Sequence, residues 1–564
     1  MNLSPAFSPR RILAAALLLF ALLAALSAAA KRPRTDEAHL ASGPVNLIRD
    51  GVMGTTVFEL AGTNYLRLDR YSYWQMPLNL LFQASWYKVF GVDLFRARLL
   101  PVLWGTLLIW VLYRLVLALT EGDRAVAAGA AALLALNYEL TMVASDTRPD
   151  MVCALGNFAA LAVYLVWRER NLPGAILAAC TLAAMALFCH PNGVLGALGL
   201  AFLYLRLDRS RFAFSHLFLA AAPYLAGFAL WGIYIARDVE AFRMQFLFNA
   251  QDDGRLNMLF KPWIGVWREI TEKYLGLFAG FHATAPKILR VKILSLAMIA
   301  GAVFSLAFLP AFRRLPGAGN LTALTALFFF VLAVFDGQKQ YIYLVHMVPL
   351  FSAAIAIAAA AILRRKPRWA LPVWLALAGF CVLQAGGTLY RIREQSFARA
   401  YQPVVDYIQR NGPPGAVIFA PGEFAWGFDF QPRLVDDLRL GYYSHRRAEW
   451  VIVDSRWREL WEIYRRRQPE LFAYLETSLH ETYAKVHETG GYEIFRLRPA
   501  AAIPAASITS PATESHRPVR SASNPRQNSS TSCGPASSRT GTSPVSPSAT
   551  TVCSAPFRRT PQPG

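Results

Sequence analysis

Long apolar runs separated by short polar breaks fill the chain up to about residue 390. The run "ILAAALLLFALLAALSAAA" (12–30) carries no charge. At about 1.5 Å per residue it is long enough to cross a hydrocarbon core about 30 Å thick. Comparable windows recur at 98–119, 125–143, 151–167, 173–189, 192–206, 214–235, 291–309, 320–335, 340–363 and 369–389. Together they predict about eleven transmembrane helices. The Ala-rich end of the first run resembles a signal-peptide cleavage site, but the later spans favour an uncleaved helix. The segment "PLNLLFQASWYKVFG" (77–91) is shorter and amphipathic, as an interfacial or partly inserted helix would be.

The texture changes after the last run. "QPVVDYIQRN" (402–411) has a helical pattern, and "SRWRELWEIYRRR" (455–467) has another. "AVIFA" (416–420), "WVIVD" (450–454) and "YEIFRLR" (492–498) read as strands. No Gly-rich phosphate loop or nucleophile elbow is visible, which points to a binding or supporting role. From about 499 onward Ser, Pro, Thr, Ala and Arg dominate, a composition that buries too little to offset chain entropy. The predicted architecture is an all-α polytopic membrane domain (1–391), a small external α/β domain (392–498) and a disordered Ser/Pro/Thr-rich tail (499–564).

Composition and charge refine this picture. The 564 residues are 55% hydrophobic and 16% charged, against roughly 25% charged in a soluble domain. The net charge of +21 lies largely in short clusters between apolar runs and in the tail, which argues against nucleic acid as partner. With Arg10 and Arg11 in the cytoplasm, Arg124, "WRER" (167–170), "RLDRSR" (206–211), Arg313–Arg314 and "RRKPR" (364–368) fall on the same side. The exception is "KRPR" (31–34), which lands outside. Also outside fall "TDEAHLA" (35–41), "SDTRPDM" (145–151), "HPNG" (190–193), the loop 236–290, "DGQKQYIY" (336–343) and the α/β domain. Polar groups with chemical potential thus gather on one face. The six cysteines show neither metal spacing nor a disulfide framework.

An acidic pair after the first span, then "PLNLLFQASWYKVFGVDLFRARLLPVLWGTLLIWVLYRL" (77–115), then "TRPDM" opening a span, resembles the C-type (GT-C) membrane glycosyltransferases. The nearest likeness is to the bacterial branch akin to protein O-mannosyltransferases and lipid A aminoarabinose transferases. It covers roughly residues 10–395 in layout and is strongest over 35–170. The resemblance implies transfer of a sugar from a polyprenyl-phosphate donor to a lipid, glycan or protein acceptor. The reaction would occur among membrane lipids, on the outer face of a bacterial cytoplasmic membrane. Gln75 in "YWQMPL" (73–78) departs from the pattern, because many relatives carry a basic residue there.

Glycosyl transfer needs a base for the acceptor hydroxyl and positive charge for the departing phosphate. The resemblance assigns the base to Asp36. Glu37 would bind a metal, orient the acceptor or be solvated. Arg148 precedes a proline-started helix whose N-terminus favours anions, so it is a candidate for the donor phosphate. Asp146 and Asp150, with Glu37, are the candidate ligands if a divalent metal such as Mg or Mn is used. Lys339, Tyr341 and Tyr343 either form a snorkelling, aromatic interface belt or surround the donor, as the family's pattern implies. His190 is a polar cap or a further site residue. The rival class is a transporter or flippase, which should place charges or broken helices near mid-membrane, often in internal repeats. The candidate charges here lie at outer ends of spans, and no duplicated half is visible.

The charge asymmetry makes a prediction. A reporter fused after Arg211 should read cytoplasmic and one fused after Gln395 external. The same side for both would mean that the span count is wrong by an odd number.

Overall fold

The computed structural model describes residues 8–248, 257–278, 301–303 and 317–499. The tail beyond 499 and all but 301–303 of the expected span 291–309 lie outside the described residues. The first helix, α1 (Pro9–Ala30), matches the charge-free run. It stops where Lys31 turns extended, ahead of Pro33, which cannot continue a helical hydrogen-bond ladder. A second helix, α2 (Thr35–Asp50), follows at once, with Asp36 and Glu37 in its first turn where carboxylates complement the helix dipole. Glu37 reaches back to accept the Arg34 backbone N–H at 2.9 Å, closing the start of the helix. The amphipathic segment forms α3 (Pro77–Phe90), and α4 (Leu94–Leu119) spans the membrane next.

Eight described helices are long and apolar enough to cross a membrane, against the eleven or so expected. The segment 125–143 is not one straight span. It forms α5 (Arg124–Ala135) and α6 (Tyr138–Ala144), which meet at 62°. Asn137 explains the break: its side chain accepts the Leu140 N–H at 3.0 Å and starts a new helix. Gln384 supports the corner by accepting the Tyr138 N–H at 2.9 Å. Two full spans follow, α7 (Asp150–Trp167) and α8 (Leu172–Cys189), then the shorter α9 (Val194–Leu207) and the long α10 (Phe214–Ile235). Further spans are Ala318–Phe335, Val348–Arg365 and a long helical stretch from Pro367 to Asn411. Counting the bent pair as one span gives nine. The remaining difference is α9, which falls short, and the segment outside the described residues.

Helices α1, α4, α5 and α7 share one apolar core around Phe20, Leu108, Leu112 and Phe158, all fully buried. The α1–α4 contact is close enough that a Cβ on Gly105 would lie 2.8 Å from the Phe20 ring. Helix α10 is largely exposed along its apolar length, as a lipid-facing helix would be.

Outside this bundle, five strands form one sheet in the order β2-β1-β3-β5-β4. The strands are β1 (Ile418–Phe419), β2 (Leu434–Val435), β3 (Trp450–Asp454), β4 (Tyr483–Thr489) and β5 (Tyr492–Leu497). β1 runs parallel to β2 and β3, while β5 is antiparallel to β3 and β4. Sequence patterning did not reveal β2, which has two residues, or β4, whose exposed Lys485, Val486 and Glu488 mark an edge. Gly490 and Gly491, at φ 60° and 84°, make the tight β4–β5 turn. The sheet does not stand apart from the N-terminal part. Ala38, Ala41 and Val45 of α2 are buried in one cluster with Val404, Ile418, Phe424 and Trp450. Phe58 forms a parallel bridge with Asp436. Helix α2 therefore shares its core with the sheet layer rather than with the membrane helices alone.

Candidate active site

The site is organised around a fully buried ion pair between Arg98, near the start of α4, and Glu37. Arg98 Nε and one terminal nitrogen grip the two Glu37 oxygens at 2.9 and 2.6 Å. Its remaining N–H groups donate to the carbonyls of Ala28 (2.8 Å), Lys31 (2.6 Å) and Arg32 (3.1 Å). All five guanidinium donors are used. Glu37 also accepts the backbone N–H of Arg34 at 2.9 Å and of Thr147 at 3.0 Å. Each of its oxygens holds two hydrogen bonds. Glu37 thus ties the end of α1, the start of α2, helix α4 and the loop before α7 into one unit.

Asp36, one residue earlier, meets a different partner. Its side chain keeps 28% exposure and pairs with Arg148. Arg148 also holds Asp150 through Nε at 2.9 Å. The loop 145–149 thus delivers a cation to Asp36, with Asp150 behind it at the first position of α7. Asp146 pairs with Lys31 and lies 3.5 Å from Arg34. Burial alone would raise its carboxyl, but the charges of Arg34, Lys31 and Arg98 outweigh that and hold it at about 2. Tyr341 hydrogen-bonds Arg34, which links "KRPR" to the segment after residue 336.

The other expected site residues separate into two groups. The Tyr343 ring lies tilted against His190, with ring centroids 5.2 Å apart, and Asp150 lies in the field of His190 and His346. His190 caps the turn after α8, its Nδ1 accepting the Asn192 N–H at 3.1 Å. Lys339 is turned away from this group. It sits in left-handed backbone at φ 55° and donates to Glu269 at 3.0 Å and to the Ala333 carbonyl at 2.6 Å. Lys273 shares Glu269 and Asp336 and lies 5.8 Å over the Tyr343 ring, connecting the two groups.

Sequence reasoning missed several members. Arg98 lies inside an apolar window and reads as the start of a span. Lys31 and Arg34 were visible only as the basic cluster on the unexpected side. From the short turn that follows β1, Glu423 accepts hydrogen bonds from the Thr35 hydroxyl and from Tyr492 at 3.0 Å. Asp436 pairs with His39 at 2.9 Å. Thr35 and His39 flank the acidic pair, so the sheet grips the turn that carries Asp36. Burial and nearby Asp454 push Glu423 up to about 7, against the opposing pull of Thr35, Arg32 and Tyr492.

The carboxylates do not fit a divalent metal. Glu37 faces Arg98, Asp146 faces Lys31 and Arg34, and Asp150 faces Arg148. Among the described residues, no group of three His, Cys, Asp or Glu side chains converges as metal ligands would.

Residues 75–234 match the family model described as dolichyl-phosphate-mannose-protein mannosyltransferase. The crystal structure of ArnT from Cupriavidus metallidurans bound to undecaprenyl phosphate superposes with a TM-score of 0.54 at 15% identity. That match covers 89% of this chain and 100% of ArnT. The fold is that of a GT-C membrane glycosyltransferase. Apo ArnT gives 0.55 at 14% identity, covering 86% of this chain and 98% of that one. The Archaeoglobus fulgidus oligosaccharyltransferase in complex with Zn and sulfate gives 0.50 at 13% identity, covering 87% and 74%. No curated protein matches in sequence. The chain is a multi-pass GT-C-fold membrane protein.

Two predictions follow from the geometry. Glu37→Gln leaves the buried Arg98 charge uncompensated and should destabilise the fold by about 3–5 kcal/mol, read as a lower Tm in detergent. Its loss of activity should track the loss of folded protein. Glu423 binds its proton more tightly folded than unfolded, so its contribution is full below pH 4.5 and is lost as pH rises through about 7. Glu423→Gln can still bond Thr35 and Tyr492 without this cost. It should raise Tm at pH 8, by the equivalent of up to about 3 kcal/mol, and change it little at pH 4.5. An equal Tm change at both pH values would exclude Glu423 as the titrating group.

Proposed function

We propose that this protein transfers a sugar from a polyprenyl-phosphate donor to a lipid, glycan or protein acceptor, with Asp36 as the general base. One observation carries the assignment. Of the four clustered carboxylates, the side chains of Glu37, Asp146 and Asp150 are 0%, 1% and 0% exposed, whereas Asp36 keeps 28%. Asp36 is the one an acceptor hydroxyl can reach. Its pairing with Arg148 holds the carboxylate in place at this exposed position.

The leaving group is a phosphate, and the same mouth offers two cations. Arg148 stands between Asp36 and Asp150, and Arg34, 39% exposed, is the most open of the cations that face these carboxylates. Arg34 supplies the positive charge that Gln75 lacks. As the sugar–phosphate bond breaks, negative charge grows on the phosphate oxygens beside these guanidinium groups, which stabilise it in place. Asp36 takes the acceptor proton as the new glycosidic bond forms. ArnT, which shares the fold, was crystallised with undecaprenyl phosphate, and this supports a carrier of the same chemistry here. The basic cytoplasmic loops favour an outward-facing site, periplasmic in a bacterial inner membrane. A transporter reading has no comparable support, since these charges sit at helix ends rather than at mid-span.

Asp36→Asn keeps the side-chain shape but cannot take the proton. In nanodiscs it should lower turnover by about 10²–10⁴-fold with Tm nearly unchanged. Wild-type turnover in this variant would remove Asp36 from the mechanism.

A further inference from the structure

Resting on the glycosyltransferase reading, a second feature of the site identifies the chemistry of the sugar. Gln75, Asn79 and Gln83 are buried at 9%, 4% and 3% exposure. Both amide atoms of Gln75, Nδ2 of Asn79 and Oε1 of Gln83 have no hydrogen-bond partner within the protein. Buried, unsatisfied polar atoms are costly and rare, so a run of them calls for something that satisfies them. Asn79 and Gln83 are four residues apart on α3 and share one face, with Gln75 just ahead of the helix.

This stripe borders the site. Gln83 donates its Nε2 proton to the Thr147 carbonyl at 2.7 Å, directly beside Arg148. At the other end Met76 packs with Phe188 and Trp231, near the outer end of α8 and His190. The stripe therefore runs from the loop that carries Arg148 toward the Met76–Phe188–Trp231 cluster. A carboxamide offers one acceptor and one double donor in a fixed plane and carries no charge. That matches ring hydroxyls, which both donate and accept. An ammonium or a carboxylate on the sugar could also bond an amide, but it would be buried here without a counter-charge, which is costly. The neighbouring charged groups Arg148 and Asp150 are already paired.

We propose that Gln75, Asn79 and Gln83 form the recognition stripe for the hydroxyls of an uncharged sugar on the donor. Specificity thus resides on α3, separate from the cations that hold the phosphate. Gln75 in place of a basic residue is then a specificity choice as well as a lost cation.

The test uses full-length protein in nanodiscs, titrated with undecaprenyl phosphate and with the same carrier bearing mannose, arabinose or 4-amino-4-deoxyarabinose. Wild type should bind a neutral-sugar carrier about tenfold or more tighter than the bare carrier and than the aminosugar carrier. Gln75→Leu and Asn79→Leu break no internal hydrogen bond of the unpartnered atoms. They should cancel that preference, leave bare-carrier affinity unchanged, and hold or raise Tm. Equal affinity for all carriers in wild type would overturn the proposal, as would preference for the aminosugar. A large fall in Tm or failure to fold in Gln75→Leu would also overturn it, because the amide would then be structural. No binding of the bare carrier to wild type would overturn the glycosyltransferase reading as well.

Discussion

The site depends on a guanidinium buried at the top of the membrane bundle. A charge removed from water needs both a counter-charge and a partner for every donor, and Arg98 has both. Three of its bonds go to the carbonyls of Ala28, Lys31 and Arg32, at and just beyond the end of α1, where helix carbonyls lack partners of their own. The other two go to Glu37, which closes the start of α2. One side chain from α4 therefore ends one helix and begins the next. The sharp reversal at 31–34 exists because these two ends meet at the same group.

This arrangement also explains how so many charges share one small region. Asp36, Glu37, Asp146 and Asp150 would repel one another, but Lys31, Arg34, Arg98 and Arg148 alternate with them. The basic cluster that violates the inside-positive pattern is part of this balance. Lys31 and Arg34 share the Asp146 carboxylate, and Arg32 lies over the Tyr492 ring of the sheet. Their charge is thus met by partners within this region.

Much of this was legible in the chain. Uninterrupted apolar runs reported the long spans, and the acidic pair stood out through its place after the first span. The rest depended on distant partners. Arg98 lies sixty-one positions from Glu37, and no local pattern separates a buried arginine from one that flanks a span. The bend at Asn137 was hidden because a single polar residue in an apolar window also suits a continuous helix. Glu423 and Asp436 gain meaning only when the sheet folds over α2. The resemblance to a known family pointed to Asp36, but the contrast between an open Asp36 and a saturated Glu37 required the geometry.

The outer sheet completes the argument for α2. Its first turn is held from three directions: from below by Arg98 on Glu37, from the side by Arg148 on Asp36 and Thr147 on Glu37, and from above by Glu423 on Thr35 and Asp436 on His39. A reacting group gains most when its backbone is fixed and only its reactive atom is accessible, because little ordering is then left for the transition state. Thr35, Glu37 and His39 absorb the anchoring contacts. Asp36 lies between them and keeps 28% of its side chain exposed, so the same turn supplies both a rigid frame and one accessible carboxylate. An α/β layer without a recognisable catalytic motif is therefore not an accessory. It forms the upper wall of the turn on which the proposed chemistry rests.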